Sequence, residues 1–238
     1  MDDDNLIMLH GWGMNSFVFD PLQRQLTVRD MLLPALPGYP GSPWQLQFDF
    51  ERQLERMAAD LPPGQLLGWS LGGTYAIELA ARYPHKFSAL TLVACNPCFV
   101  AGEGWRCAVE ASVFDAFGEA LAGDRARALR RFIALQMQGE AQGRALSRSL
   151  WEGLAEAGVP DSAALGFGLE LLRNHDARPA LGRVSQPITL VLGQLDALVP
   201  FALIKQIADV APAIRVESVA GAAHALIFSH PSQVAALL

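Results

Sequence analysis

Short runs of aliphatic residues along the chain predict the strands of a buried parallel sheet. Residues 6–9 are apolar in succession and too few for a helix, which is typical of a strand buried on both faces. Further runs bounded by turn residues predict strands of the same kind. The predicted strands are residues 6–9, 28–33, 65–68, 87–94, 188–192 and 214–219.

Most of the segments between these apolar runs have the periodicity of amphipathic helices. In residues 48–61 the side chains of Phe50, Leu54, Met57 and Leu61 recur at spacings of three and four, which places them on one face of a helix. Other helices are predicted over 17–26, 74–83 and 199–210, and one begins at Pro231. Strands that alternate with helices predict right-handed crossovers and an α/β fold with a mostly parallel sheet.

The alternation is interrupted between residues 99 and 178, where no strand is predicted. Four helices are expected there, over residues 108–122, 124–138, 141–157 and 161–173. No linker is long enough for an independent domain. We therefore expect one sheet domain, formed by residues 1–98 and 179–238, with residues 99–178 inserted as a helical cap.

Gly68-Trp69-Ser70-Leu71-Gly72 lies between a predicted strand and a predicted helix. This Gly-x-Ser-x-Gly pattern in that context indicates the nucleophile elbow of the α/β-hydrolases, a sharp turn that exposes the serine hydroxyl. The following helix directs its N-terminal N–H groups at the serine, where negative charge can be stabilised. The alternative is an ordinary glycine-rich turn.

Asp196 and His224 also follow predicted strands, and the order Ser70, Asp196, His224 is the order that α/β-hydrolases use. A serine needs an adjacent base, imidazole can supply it, and a carboxylate fixes the imidazole tautomer. In an open parallel sheet the site lies beyond the carboxyl ends of the strands, so these three side chains are expected to meet there. Other candidates for the histidine and the acid are less well placed, because they lie at helix ends or at the return from the inserted segment. They are His85, His175, His230 and Asp209.

The loop after the first strand, His10-Gly11-Trp12-Gly13, is a candidate for the oxyanion hole. The backbone N–H groups of Trp12 and Leu71 are the proposed donors, and one such donor stabilises the tetrahedral state by roughly 3–4 kcal/mol. His10 is interpreted as a structural residue that braces the loop, with direct catalysis as the alternative.

Composition narrows the class of protein further. The 238-residue chain is 51% hydrophobic and carries a net charge of −6, which argues against a nucleic-acid partner. Three cysteines suit a reducing compartment, so we expect a cytoplasmic location, with Cys95 and Cys98 as apolar fillers or, alternatively, a redox or metal pair. The acidic N-terminus does not resemble a signal peptide, and no apolar run is long enough to span a membrane. We expect a monomer that needs neither metal nor cofactor.

Arginine is concentrated in one part of the predicted cap. Residues 125–148 contain six arginines and one acidic residue, Glu140, a local charge of +5 on an acidic chain. Helical geometry places Phe132 and Gln136 on one face, which we expect to point inward over Ser70. It places Arg127 and Arg131 on the other face, which we expect to point outward. The basic face is either a docking patch for an acidic partner or an ordinary solvated surface.

Several segments together give a resemblance over nearly the whole length. The segments are His10–Gly13, Gly68–Gly73, Asn96–Phe99, Arg131–Gln136, Gly168–Leu172, Leu195–Pro200, Ala222–Ala225 and Ser229–Pro231. In these segments the chain resembles the carboxylesterases of biotin synthesis that hydrolyse the methyl ester of a pimeloyl chain bound to acyl carrier protein.

The resemblance implies roles residue by residue. Ser70 would be the nucleophile, Asp196 the orienting acid and His224 the base, and Trp12 and Leu71 would supply the oxyanion N–H groups. The implied substrate contacts are Trp12, Trp69, Ser70, Leu71, Phe132, Ile133, Ala134, Leu135, Gln136 and His224. The implied contacts to the carrier protein are Arg127, Arg131, Arg144 and Arg148.

Two other readings of the same residues remain open. The triad would equally serve a general short-chain carboxylesterase, a thioesterase or a C–C hydrolase. A different class, a non-catalytic receptor with the hydrolase fold, would bind a ligand with little or no turnover.

Overall fold

A computed structural model describes residues 5–27 and 30–238 of the chain. Over this part of the chain the strands form one six-stranded, fully parallel sheet with the order β2-β1-β3-β4-β5-β6. The strands are β1 (Asn5–Leu9), β2 (Asp30–Leu32), β3 (Gly64–Trp69), β4 (Phe87–Val93), β5 (Ile188–Gly193) and β6 (Arg215–Val219). The α/β fold with a parallel sheet, expected from the sequence, is confirmed.

Helices cover both faces of the sheet and also form the segment between β4 and β5. Before that segment lie α1 (Asp20–Gln23), α2 (Phe50–Asp60) and α3 (Leu71–Arg82). The segment itself contains α4 (Ala111–Gly123), α5 (Arg125–Gln136), α6 (Gly143–Ala157) and α7 (Ser162–Asn174). After it come α8 (Arg178–Leu181), α9 (Ile204–Val210), α10 (Leu226–Ser229) and α11 (Pro231–Ala235). No helix in the described ranges has both the length and the apolar character needed to cross a bilayer.

The chain leaves β1 in one direction along the sheet and then returns, so β1 is flanked by β2 on one side and β3 on the other. This reversal of strand order creates a crevice at the carboxyl ends of β1 and β3. The loop 10–15 after β1 and the turn at Ser70 after β3 both open into that crevice. The topology therefore brings the predicted oxyanion loop beside the predicted nucleophile.

The burial of a strand depends on its position in the sheet. The central strands β1 and β3 are almost wholly buried because helices cover both faces, whereas the edge strand β6 is buried only at Val219. Two apolar clusters lie on opposite faces, one around Ile7, Leu9 and Leu66 and the other around Met8 and Leu67. Neighbouring residues of one strand thus point into different clusters, as a strand period of two requires.

Several element boundaries differ from those predicted. The helix predicted over 74–83 begins earlier, at Leu71, because the turn at Ser70 leads directly into it. The helix predicted over 108–122 begins at Ala111. Residues 100–109 instead form a looped segment with bridges between Val100 and Val109 and between Gly102 and Trp105.

Other differences concern short elements. The helix predicted over 17–26 is replaced by a 3₁₀ turn over Ser16–Phe19, capped by the Asn15 side chain, and by the single turn of α1. The short helices α8 and α10 were not predicted. Of the strand predicted over 28–33, Val28 and Arg29 lie outside the described residues, as do residues 1–4 of the predicted core.

Close packing at the start of α3 requires glycine. A Cβ atom at Gly72 would overlap the backbone carbonyl oxygen of Leu9, in the buried strand β1. By contrast, a Cβ atom at Gly118, inside α4, would meet no atom within 4 Å.

We expect Gly72→Ala to lower the free energy of unfolding by about 1–3 kcal/mol, because the added methyl group overpacks a buried strand. Gly118→Ala is the matched control and should raise it by roughly 0.5–1 kcal/mol through helix propensity. Urea unfolding of the two variants and the parent protein provides the measurement. Equal stabilities of the two variants would contradict the close approach of α3 to β1.

Candidate active site

Ser70 occupies a strained turn between β3 and α3. Its backbone has φ 53° and ψ −119°, a left-handed region that non-glycine residues rarely adopt. The turn is held by hydrogen bonds from Ser70 N–H to the Val93 carbonyl, at 3.0 Å, and from Gly73 N–H to the Ser70 carbonyl, at 2.9 Å. Ser70 is buried with 8% of its surface exposed, and its side chain lines a cavity described below.

The structure brings Ser70, His224 and Asp196 into one hydrogen-bonded line. His224 Nε2 lies 3.0 Å from Ser70 Oγ, and His224 Nδ1 lies 2.9 Å from Asp196 Oδ2. The side chains of Asp196 and His224 are almost fully shielded from solvent. With Nδ1–H donating to the carboxylate, Nε2 is left to accept the proton of the serine hydroxyl, as a general base must.

Asp196 is fixed by its own loop after β5. Its Oδ1 atom accepts hydrogen bonds from the N–H groups of Leu198, at 2.8 Å, and Val199, at 2.9 Å. These two bonds stabilise the charged carboxylate and leave Oδ2 for the histidine. The carboxylate therefore has one orientation in which both of its oxygens are used.

The two proposed oxyanion donors flank the serine. Leu71 is the first residue of α3, and Trp12 lies in the loop after β1. Among the described residues, neither backbone N–H has a hydrogen-bond acceptor within the protein. Two unpartnered donors beside a nucleophile are what a developing oxyanion requires.

His10 braces the oxyanion loop and does not reach Ser70. Its Nε2 atom accepts from the Leu36 N–H at 2.9 Å, and its Nδ1 atom lies 2.9 Å from the Gly11 carbonyl, to which it donates. Complete burial lowers the pKa of His10 to about 4, so the ring stays neutral. Of the two interpretations given above, this geometry favours the structural one.

A mostly apolar cavity of about 360 Å³ lies over Ser70. Its walls come largely from α4, α5 and α7 of the inserted segment. Its main side chains are Trp12, Ser70, Phe99, Phe114, Phe117, Arg131, Phe132, Leu135, Leu172 and Leu198. The predicted substrate contacts Trp12, Ser70, Phe132 and Leu135 therefore surround one space.

Other predicted substrate contacts lie elsewhere. Trp69 is buried behind the histidine, and its indole Nε1–H donates to the His224 carbonyl oxygen at 3.0 Å. Ile133 packs in the apolar cluster around Met8 and Leu67, and Ala134 lines a second groove. Gln136 is fully buried outside the cavity walls, and its side-chain amide has no partner among the described residues.

The Trp12 side chain joins the oxyanion loop to the inserted helices. Its indole Nε1–H donates to the Leu165 carbonyl of α7 at 2.9 Å. Its rings meet Phe132 and Phe117 edge to face, at 5.0 Å and 5.5 Å between centroids. Phe117 was not singled out from the sequence, although Phe114, Phe117 and Leu121 follow the spacing of one helix face.

The four predicted docking arginines are exposed on α5 and α6. Arg131 and Arg144 share the second groove, of about 600 Å³, with Glu140. Arg131 also lines the apolar cavity, so it stands at the boundary between the two spaces rather than opposite the cavity, as the helical projection predicted. Arg127 and Arg148 line neither space.

One cysteine of the predicted pair, Cys95, lies beside the turn that carries the nucleophile. Burial raises the pKa of the Cys95 thiol to about 12, and its side chain packs against Gly73. Cys98 is half-buried, and burial also raises its pKa. All three cysteines are free thiols. The buried Cys95, whose raised pKa keeps its thiol protonated, fits the role of an apolar filler.

This fold and this site define the class of the α/β-hydrolases, and the family model described as alpha/beta hydrolase fold matches residues 4–231. Solved structures agree on the fold. An esterase from Exiguobacterium antarcticum superposes with a TM-score of 0.85 at 20% identity, covering 98% of this chain and 89% of that one. A bromoperoxidase from Bacillus anthracis gives 0.82 at 17% identity, with the same coverage.

Relatives of higher identity narrow the class. A pimeloyl-[acyl-carrier protein] methyl ester esterase of Aromatoleum aromaticum is 38% identical over 245 residues, covering 100% of this chain and 98% of that protein. Its namesake in Aeromonas salmonicida is 39% identical over 233 residues, covering 96% and 91%. The chain belongs to the α/β-hydrolase family and, within it, to the group of the pimeloyl-[acyl-carrier protein] methyl ester esterases.

The burial of His10 predicts a pH dependence of stability. Its pKa in the folded chain, about 4, lies below the unfolded value of 6.5, so between these values the unfolded chain binds more protons. Stability is therefore lost as pH falls from 6.5 towards 4, by on the order of 3 kcal/mol from this residue. Urea unfolding at several pH values should show that His10→Gln loses less stability than the parent over this range. Parallel curves for the two proteins would contradict the neutral, buried state of His10.

Proposed function

We propose that this chain is a serine carboxylesterase that hydrolyses the methyl ester of pimeloyl-[acyl-carrier protein] methyl ester through an acyl-enzyme on Ser70. The observation that carries the proposal is the line from Ser70 Oγ through His224 to Asp196 at the wall of an apolar cavity. The names of the relatives supply the substrate. The resemblance to the carboxylesterases of biotin synthesis extends the proposal to a role in that pathway.

The residues of the site account for each proton transfer. Ser70 Oγ attacks the ester carbonyl carbon while His224 Nε2 takes the hydroxyl proton. The oxyanion then accepts hydrogen bonds from the N–H groups of Trp12 and Leu71. When the intermediate collapses, His224 returns the proton to the departing methanol, and Ser70 keeps the acyl group. Water, deprotonated by His224, attacks the acyl-enzyme and releases the carboxylate and free Ser70.

The cavity suits the acyl chain. Its walls of Phe114, Phe117, Phe132 and Leu172 remove methylene groups from water, at about 0.8 kcal/mol for each one buried. The carrier end of the substrate then has to leave by the mouth of the cavity. Arg131 lies at the boundary between this cavity and the second groove, which also contains Arg144.

The exposed arginines support a docking surface for the carrier protein. Residues 125–148 carry a local charge of +5, and an acyl carrier protein is an acidic partner. Charge complementarity of this kind raises the association rate and orients the partner. Arg127, Arg131, Arg144 and Arg148 are the proposed contacts, and a cytoplasmic location is part of the same proposal.

Complementation of a biotin auxotroph that lacks its own methyl ester esterase tests the function. We expect growth without biotin when the parent protein is expressed and no growth with Ser70→Ala, because only the parent can form the acyl-enzyme. Immunoblots of the soluble fraction serve as the control and should show equal amounts of the parent protein and the Ser70→Ala variant. Growth with neither protein would contradict the proposed substrate and favour a general esterase.

Charge reversal on α6 tests the docking surface. Arg144→Glu combined with Arg148→Glu should raise KM for the carrier-bound methyl ester roughly tenfold at low salt, because the acidic partner is repelled. KM for a free short ester should not change, since neither arginine lines the apolar cavity. Arg52→Glu on α2 is the matched control, because Arg52 is an exposed arginine on a helix outside the proposed docking surface. Equal effects on both substrates would exclude docking through these residues.

A further inference from the structure

The loop that carries His224 is anchored at three successive residues. The Ala223 N–H donates to Glu140 Oε1 at 2.7 Å, and the Ala225 N–H donates to the Gln136 backbone carbonyl at 3.2 Å. Between them, the His224 carbonyl accepts from Trp69. Two of the three anchors therefore lie at the end of α5 and in the connection to α6, at Gln136 and Glu140, and not in the sheet.

Glu140 also holds the far end of the same segment. The hydroxyl of Ser229, the last residue of α10, donates to the same Oε1 atom at 2.9 Å. His230 Nδ1 lies 2.8 Å from the Ser229 oxygen and 3.9 Å from Glu140 Oε1. One carboxylate oxygen thus spans residues 223–229, which begin next to the proposed base.

Glu140 is a buried carboxylate, and burying a charged group is costly unless other groups pair with it. The Glu140 side chain is only 4% exposed, and no lysine or arginine among the described residues lies within ion-pair distance of it. An apolar side chain would fill the space without the cost of removing a charge from water. It would, however, leave the fully buried Ala223 N–H without an acceptor.

We propose that Glu140 is a positioning residue for His224. By accepting from Ala223, it fixes the backbone from which the imidazole reaches both Ser70 Oγ and Asp196 Oδ2. It touches neither the substrate cavity nor the imidazole, so its contribution runs through the loop. The inference rests on the proposed hydrolytic function. A shift of about 1 Å in such a group costs on the order of a hundredfold in rate.

Steady-state hydrolysis of p-nitrophenyl butyrate by the purified chain tests the proposal without the carrier protein. We expect Glu140→Ala to lower kcat by about 30- to 100-fold with KM within about twofold. Glu140→Gln keeps an acceptor oxygen and should retain kcat within about threefold. Ser229→Ala removes one of the two bonds and should lie between them. Glu156→Ala, an exposed glutamate on α6, is the control and should match the parent.

Two outcomes overturn the positioning role. One is an unchanged kcat in Glu140→Ala, with or without a raised KM, and the other is a Glu140→Gln variant as slow as Glu140→Ala. If circular dichroism shows Glu140→Ala to be unfolded, the variants Ser229→Ala and Glu140→Gln provide the test. The proposal then requires a lower kcat in Ser229→Ala and a nearly normal kcat in Glu140→Gln. It is contradicted if either result is missing.

The same assay separates this proposal from the proposed function. If the parent is active, Ser70→Ala is inactive and Glu140→Ala has the activity of the parent, only the positioning role is contradicted. A parent protein with no activity, or one matched by Ser70→Ala, would remove the hydrolytic function and the positioning role with it.

Discussion

The strained turn at Ser70 is the constraint on which the rest of the site depends. A non-glycine residue in this backbone region costs roughly 1–3 kcal/mol and persists only where its surroundings determine it. Here α3 approaches β1 so closely that Gly72 has no space for a side chain beside the Leu9 carbonyl. The same approach places Ser70 next to the loop that carries Trp12, so the nucleophile and its proposed oxyanion donors have one structural origin.

The helices inserted between β4 and β5 contribute to the geometry of the site as well as to the cavity. Leu165 of α7 accepts a hydrogen bond from the Trp12 indole, while Gln136 and Glu140 accept from residues on either side of His224. The inserted segment is thus bonded to both the oxyanion loop and the histidine loop. Its position is therefore coupled to the alignment of the reacting groups.

Local sequence patterns were sufficient to predict the fold and to predict that the side chains of Ser70, Asp196 and His224 lie close together. Apolar runs identified the strands, and the Gly-x-Ser-x-Gly turn, with an acid and a histidine after later strands, identified residues at one edge of the sheet. These inferences succeed because parallel strands bring their carboxyl ends together whatever lies between them. The structure places Ser70, Asp196 and His224 within hydrogen-bond distance.

Contacts between distant segments could not be predicted in the same way. Helical periodicity gives the angle of a residue on its own helix but not the neighbour that the helix meets. Arg131 was expected to point away from the cavity and instead lies at its boundary, and Trp69 braces the histidine loop rather than lining the cavity. Glu140 was counted only as a charge, since its bonds to Ala223 and Ser229 span more than eighty residues.

The central claim is that His224 and Asp196 activate the Ser70 hydroxyl as a nucleophile. Its most direct test is labelling with a fluorophosphonate, which loses fluoride when a serine oxygen attacks phosphorus, followed by intact-mass and peptide mass spectrometry. The account predicts one adduct per chain, located on Ser70, and at least a hundredfold slower labelling of His224→Ala, on the order of the loss expected when a general base is removed. An adduct on another residue, or equal labelling of His224→Ala, would contradict it.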